Sequence, residues 1–227
     1  MNIPKIALLL ALGAVGAVLG FRLARHVKMA RYAVHGIDVS HYQRAVDWDR
    51  VEARYAFVFL KATEGVALED AYFRRHWQRL GRMRTKRGAY HFFLPAADAT
   101  RQADHFIRHV RLRSGDLPPV LDVEVAGNAS SREVARGVRQ WLQRVERHYK
   151  VRPIVYTNAA FYRQHLQGAL AGYPLWIAQY GWHTPRTQPA WHFWQYADDG
   201  RVDGIAGAVD LNVFAGSLAD LNRLCVP

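Results

Sequence analysis

The sequence predicts an α/β fold, an irregular (β/α) barrel of the TIM-barrel kind, with five β/α units followed by three strands that carry little helix. Three observations predict it. Eight short apolar runs recur between residues 34 and 214, most of them near-continuous, as expected for a parallel sheet covered on both faces. Stretches of helical period separate the first five runs. Eight strand candidates in this arrangement suggest closure into a barrel.

In chain order the first element is IALLLALGAVGAVLGF at 6–21, uncharged and preceded by Lys5. Sixteen residues is short for a membrane span and right for a secretory h-region. No clear A-x-A cleavage site follows, so the segment reads as a signal peptide or an uncleaved anchor, residues 1–30, with membrane anchoring through 6–21. A buried helix of the domain is the alternative. Arg22, Arg25, Lys28 and Arg31 come next. By the positive-inside rule that flank belongs in the cytoplasm, which pulls against export. The expected location is nevertheless exported, periplasmic or extracellular, and residues 31–227 are the barrel domain.

The strand candidates then follow: VHGIDVS (34–40), YAFVFLKAT (55–63), RGAYHFFL (87–94), PPVLDVEV (118–125), RPIVYT (152–157), PLWIAQY (174–180), WHFWQY (191–196) and GAVDLNVF (207–214). Helical period marks the run from Asp70 to Arg84. It is clearer at 131–149, where Val134, Val138, Trp141, Leu142 and Val145 share one face. Ser131 is the expected cap and Glu133 places an acid in the first turn. The last two connections are short and rich in Gly, Pro and Asp, so some late strands are expected to pair antiparallel.

Composition narrows the class. The chain has 227 residues, half of them hydrophobic, enough for one sizeable core. Its single cysteine, Cys225, excludes an intramolecular disulfide. The net charge is +12, of which residues 1–31 hold +5. Such a surface draws in anionic partners. No zinc-finger, RNA-binding or bZIP pattern is present, so nucleic acid is not the expected partner.

In barrels of this kind the chemistry sits at the carboxyl ends of the strands, and the acids fall there. Asp38 ends the first strand, Glu64 follows the second, Asp122 and Glu124 end the fourth, and Asp210 lies in the eighth. Strand residues two apart share a face, so Asp122 and Glu124 point the same way and Val123 the other. Crowded carboxylates in a partly dry site cannot both ionise freely. A protonated acid beside a charged one suits glycosidic cleavage: one protonates the leaving oxygen, the other steadies the cationic sugar. An ion-paired, structural role for a bare D-x-E stays open. His35, His41 and His91 lie near strand ends without H-x-H or HExxH spacing. No metal site and no cofactor are expected, and His91 reads as a hydrogen-bonding group.

HGIDVSHYQRAVDW, FVFLKATEG, GAYHFFLP, PPVLDVE, PIVYTN, PLWIAQY, FWQYADDGRVDGI and AVDLNVFAG occur in that order. Together they resemble the family 25 glycoside hydrolases, the N-acetylmuramidase type of lysozyme, over about residues 34–216. The resemblance implies hydrolysis of the β-1,4 bond from N-acetylmuramic acid to N-acetylglucosamine, with peptidoglycan glycan strands as partner and a monomer at work. It implies Glu124 as general acid/base, and Asp122 orienting a 2-acetamido group that acts as nucleophile, with retention. Asp38 and Asp210 tune the pair. Tyr90, Tyr156, Trp176, Tyr180 and Gln195 match blocks that line the family's cleft, with a core role still open for each. One departure is Arg44, where many relatives carry glycine; it bears on a loop and on substrate contacts.

Overall fold

The computed structural model describes residues 13, 16, 20 and 23–227, except 171 and 182. The expected export segment therefore lies outside the described residues up to position 22, three glycines apart. Among the described residues no helix is long and apolar enough to cross a membrane.

The strands are β1 (Val34–Val39), β2 (Phe57–Glu64), β3 (Leu68–Glu69), β4 (Lys86–Phe92), β5 (Val120–Asp122), β6 (Ile154–Asn158), β7 (Leu175–Ala178), β8 (Phe193–Gly200) and β9 (Val209–Phe214). They run in the order β1-β9-β8-β7-β6-β5-β4-β2-β3, and β1 also pairs with β2. That last pairing closes eight strands into a barrel and leaves β3 outside as a short arm on β2 that the sequence does not announce. Around the barrel the pairings among β1, β2, β4, β5, β6, β7 and β8 are parallel, while the short β3 runs antiparallel to β2. β9 runs antiparallel to both its neighbours, β8 and β1. The five-plus-three pattern holds: α1 (Trp48–Glu52), α2 (Phe73–Leu80), α3 (Ala99–His109), α4 (Ser131–Tyr149) and α5 (Ala159–Phe161, continued by a π-turn at Tyr162–Leu166) follow the first five barrel strands. Among the described residues no helix separates β7, β8 and β9, and α6 (Leu218–Leu224) is the last element.

Strand alternation sorts the side chains into two sets. Ile37, Val58, Leu60, Ala89, Leu121, Val123, Val155 and Ile177 point outward and are buried under the helices. Val34, Phe57, Phe59, Val120, Ile154, Trp176, Phe193 and Phe214 point inward and fill the barrel floor. The bulk of those rings requires space opposite them. Gly36 and Gly88 supply it, since a Cβ there would stand 2.3 Å from the Phe57 ring and 2.4 Å from the Phe59 ring. One step further along most of the barrel strands the inward positions turn polar, as at Asp38, Lys61, Tyr90, Asp122, Tyr156 and Gln195, which sets chemistry above an apolar plug.

The helix over 131–149 forms with the expected face, and Val134, Val138, Trp141, Leu142 and Val145 are fully buried. Its cap is Ser130, not Ser131. Ser130 exchanges side-chain and backbone hydrogen bonds with Glu133, the reciprocal capping box that S-x-x-E spacing makes. Ser131 instead bonds His165 Nδ1 at 2.8 Å. Arg44 has φ 52° and ψ −123°, a conformation that favours glycine because a Cβ crowds the backbone. His76 holds it there, with Nε2 2.8 Å from the Arg44 carbonyl and Nδ1 accepting from Trp48 Nε1 at 3.0 Å.

Residues 23–29 are helical and lie on the outer wall of β8 and β9. Met29 is buried among Trp194, Tyr196, Ala197 and Val213. Arg25 pairs with Asp199 at 2.6 Å, and Lys28 Nζ stands 5.2 Å from the centre of the Trp194 ring.

Candidate active site

A pocket of about 180 Å³ opens at the carboxyl ends of the parallel strands, lined by Asp38, Tyr90, Asp122, Glu124, Tyr156, Trp176, Tyr180, Gln195 and Asp210. The four acids and the five ring or amide residues singled out from the sequence thus meet in one place. Asp122 is the last residue of β5 and Glu124 follows two positions on, both facing the pocket, while Val123 is buried on the other side. Asp38 and Asp210 are direct cross-strand partners between β1 and β9. Because β9 runs backward, its second residue reaches the same rim that the parallel strands reach at their ends.

A hydrogen-bonded chain fixes Asp38. Its Oδ2 accepts from Gln195 Nε2 at 2.9 Å and from Asn212 Nδ2 at 2.7 Å. Gln195 Oε1 in turn accepts from Tyr156 and Tyr180 hydroxyls, each at 2.9 Å, and Asn212 Oδ1 accepts from Trp176 Nε1 at 2.9 Å. These bonds determine which end of each amide carries the oxygen. Asn212 is the residue the sequence reading passed over. Its signal was available: it lies two positions after Asp210 on one strand and so shares its face.

The electrostatics follow from burial and crowding. Asp38 is raised by burial, against the pull of the Asn212 and Gln195 donors. Asp210 is pushed up to about 9, by burial first and then by the Asp38 charge, so it is neutral at pH 7 and donates to Asp38. Asp122 lies well above the ordinary carboxylate range through burial and the Glu124 charge. Glu124 is raised as well, by burial and then by Asp38. Asp122 and Glu124 titrate as a coupled pair rather than two independent acids, and the hydrogen bond between them raises Asp122 and lowers Glu124, so Asp122 holds a proton more firmly in the free site. Asp122 Oδ1 is buried with no hydrogen-bond partner. The Lys61 charge lowers both members of the pair. It is held by Glu64 at 2.6 Å and lies over the Phe92 ring. Glu64 therefore anchors a cation and does not line the pocket.

The strand-end histidines are occupied. His91 sits between Thr63 Oγ1 at 2.8 Å and Gln102 Oε1 at 3.2 Å, and burial lowers it to about 3. His35 Nε2 bonds the Tyr32 carbonyl, and His41 bonds Asp70 through its backbone and Nδ1.

Fold and site together define a glycoside hydrolase of the barrel class. The sequence profile of Glycosyl hydrolases family 25 matches residues 37–205, and the chain belongs to that family. It is 45% identical over 199 residues to the uncharacterized protein YegX of Escherichia coli K12, spanning 85% of this chain and 73% of that protein. It is 37% identical over 208 residues to Lysozyme M1 of Streptomyces globisporus, spanning 84% and 71%. Among solved structures, a family 25 glycosyl hydrolase from Bacillus anthracis superposes with a TM-score of 0.80 at 32% identity, covering 85% of this chain and 94% of that one.

Proposed function

We propose that the chain is a retaining N-acetylmuramidase that cuts the β-1,4 bond from N-acetylmuramic acid to N-acetylglucosamine in peptidoglycan. The observation that carries this is the coupled Asp122–Glu124 pair with a buried, unpartnered oxygen on Asp122. A buried acceptor of that kind costs about 1–3 kcal/mol until something donates to it. The amide N–H of a 2-acetamido sugar is such a donor. Family membership and the likeness to Lysozyme M1 support the substrate class.

The steps follow from the geometry. Donation from the acetamide favours Asp122 as the ionised partner and moves the pair's proton to Glu124. Glu124 passes that proton to the glycosidic oxygen as the bond breaks. The acetamido carbonyl oxygen bonds to the anomeric carbon, and the resulting oxazolinium is steadied by the Asp122 charge. Glu124, now a carboxylate, takes a proton from water, which opens the ring from the original face and retains configuration. Asp38, pinned by Gln195 and Asn212, adds the negative field that keeps Glu124 protonated until this moment. The pocket of about 180 Å³ is smaller than the roughly 300–1,000 Å³ of a drug-sized ligand site. It takes the reacting end of one ring, and the rest of a strand lies outside it. On this reading the chain works as a monomer beyond the cytoplasmic membrane, and residues 1–30 deliver or anchor it there.

The test is mass spectrometry of muropeptides released from purified walls. Reducing-end muramic acid is the expected product, lost in Glu124→Gln with the fold intact. Reducing-end glucosamine, or a Glu124→Gln variant that lyses walls at the wild-type rate, rejects the assignment.

A further inference from the structure

On the outer wall, where residues 23–31 pass β8, lies a second concavity of about 730 Å³, whose lining includes Lys28, Arg31, Arg163, Gln179, His183 and Arg186 and, among the described residues, no acid. Arg31, Arg163 and Arg186 are exposed and make no ion pair among the described residues. Lys28 is lowered from its ordinary value by burial and then by the Arg31 charge.

The concavity is built rather than incidental. Gln179 Nε2 donates to the His183 carbonyl at 2.7 Å, and Gln179's own carbonyl accepts from Trp194 Nε1 at 2.8 Å. Trp191 Nε1 holds the Pro185 carbonyl at 3.1 Å. These three bonds fix the loop that carries His183 and Arg186. Gln179 lines the groove, and the next residue along the chain, Tyr180, lines the catalytic pocket.

We propose that this groove binds the carboxylates of the stem peptides borne by the glycan strand being cut. The proposal rests on the muramidase reading for its substrate class. Every N-acetylmuramic acid carries its peptide on a lactyl ether, and such peptides hold free carboxylates. A stem of four or five residues reaches about 13–18 Å when extended, enough to pass from a sugar at Tyr180 into the groove. Guanidinium forks suit carboxylates because they offer paired, planar donors. The groove would then make the enzyme prefer peptide-bearing strands to bare ones.

The experiment compares glycan strands carrying stem peptides with the same strands stripped by an amidase. Binding is measured with full-length Glu124→Gln, and kcat/KM with the active chain. Each is repeated in an Arg31→Ala/Arg163→Ala/Arg186→Ala background whose melting curve is checked against the parent. The expected result is about a tenfold loss of affinity and of kcat/KM, through KM, on peptide-bearing strands only. That loss shrinks at high salt, because exposed charges are screened. Equal losses on both strands, or none, overturn the proposal. So does flotation with phosphatidylglycerol vesicles that depends on the three arginines while strand preference does not, which would make the groove a lipid site. If neither strand is cut but the arginine-dependent binding preference remains, the muramidase reading fails and the groove assignment stands.

Discussion

Asp210→Asn is expected to make the protein more stable as pH rises, relative to wild type. Asp210 has an ordinary value of 3.8 and is pushed up to about 9 in the fold, by burial and by its cross-strand neighbour Asp38. Between those limits the folded chain holds a proton that the unfolded chain has released. Stability from this group is therefore complete below about pH 4 and is lost progressively as pH rises toward 9. The slope for one such group is about 1.4 kcal/mol per pH unit. Asparagine keeps an N–H donor toward Asp38 and removes the titration. The unfolding free energy of the variant minus that of wild type should thus grow by roughly 3 kcal/mol between pH 6 and pH 8. Urea unfolding of both proteins at pH 5, 6, 7 and 8, followed by tryptophan fluorescence, reads this directly, and ionisations remote from Asp210 cancel in the difference. Two stability curves that run parallel across that range would refute the claim that Asp210 stays protonated beside Asp38.

Asn212→Ala removes the 2.7 Å bond to Asp38 and strands the Trp176 indole N–H; steady-state assays should show kcat/KM down at least tenfold, and melting a loss of about 1–3 kcal/mol. Gly88→Ala drives a methyl to 2.4 Å from the Phe59 ring and is expected to cost about 1–3 kcal/mol by denaturant unfolding; a neutral result would mean the floor rings have room to shift. Arg44→Gly should stabilise by about 1 kcal/mol, since relief of a strained φ of 52° outweighs the extra chain entropy; a lower unfolding midpoint would contradict that reading.

The eight barrel strands were legible because each carries enough apolar residues to show itself without tertiary help. β3, with two residues, was not, because its existence depends on a pairing that arises only after the chain folds back on β2. The pocket was legible through its acids, which interrupt apolar runs. Its amide partner Asn212 was not, since one asparagine two positions from Asp210 looks like any polar strand residue until its two bonds, to Asp38 and from Trp176, give it work. Lys61 was hidden for a similar reason: it continues the inward face of Phe57 and Phe59 and is read as part of that run. Ser130 and Ser131 are adjacent candidates for one cap. Counting back three from Glu133 separates them, and the reading by helix face alone does not.

The route of residues 23–29 has a practical consequence for orientation. Arg25 meets Asp199 near the mouthward end of β8, while the chain enters β1 at the floor, so this helix descends the outside of the barrel from rim to base. The other terminus is fastened at the base, where Val226 exchanges backbone bonds with Gly115 and Asp116 ahead of β5. A bead or surface coupled through position 23 would hold the cutting edge turned toward the support. Coupling through Pro227 would turn it away, leaving long insoluble strands free to approach.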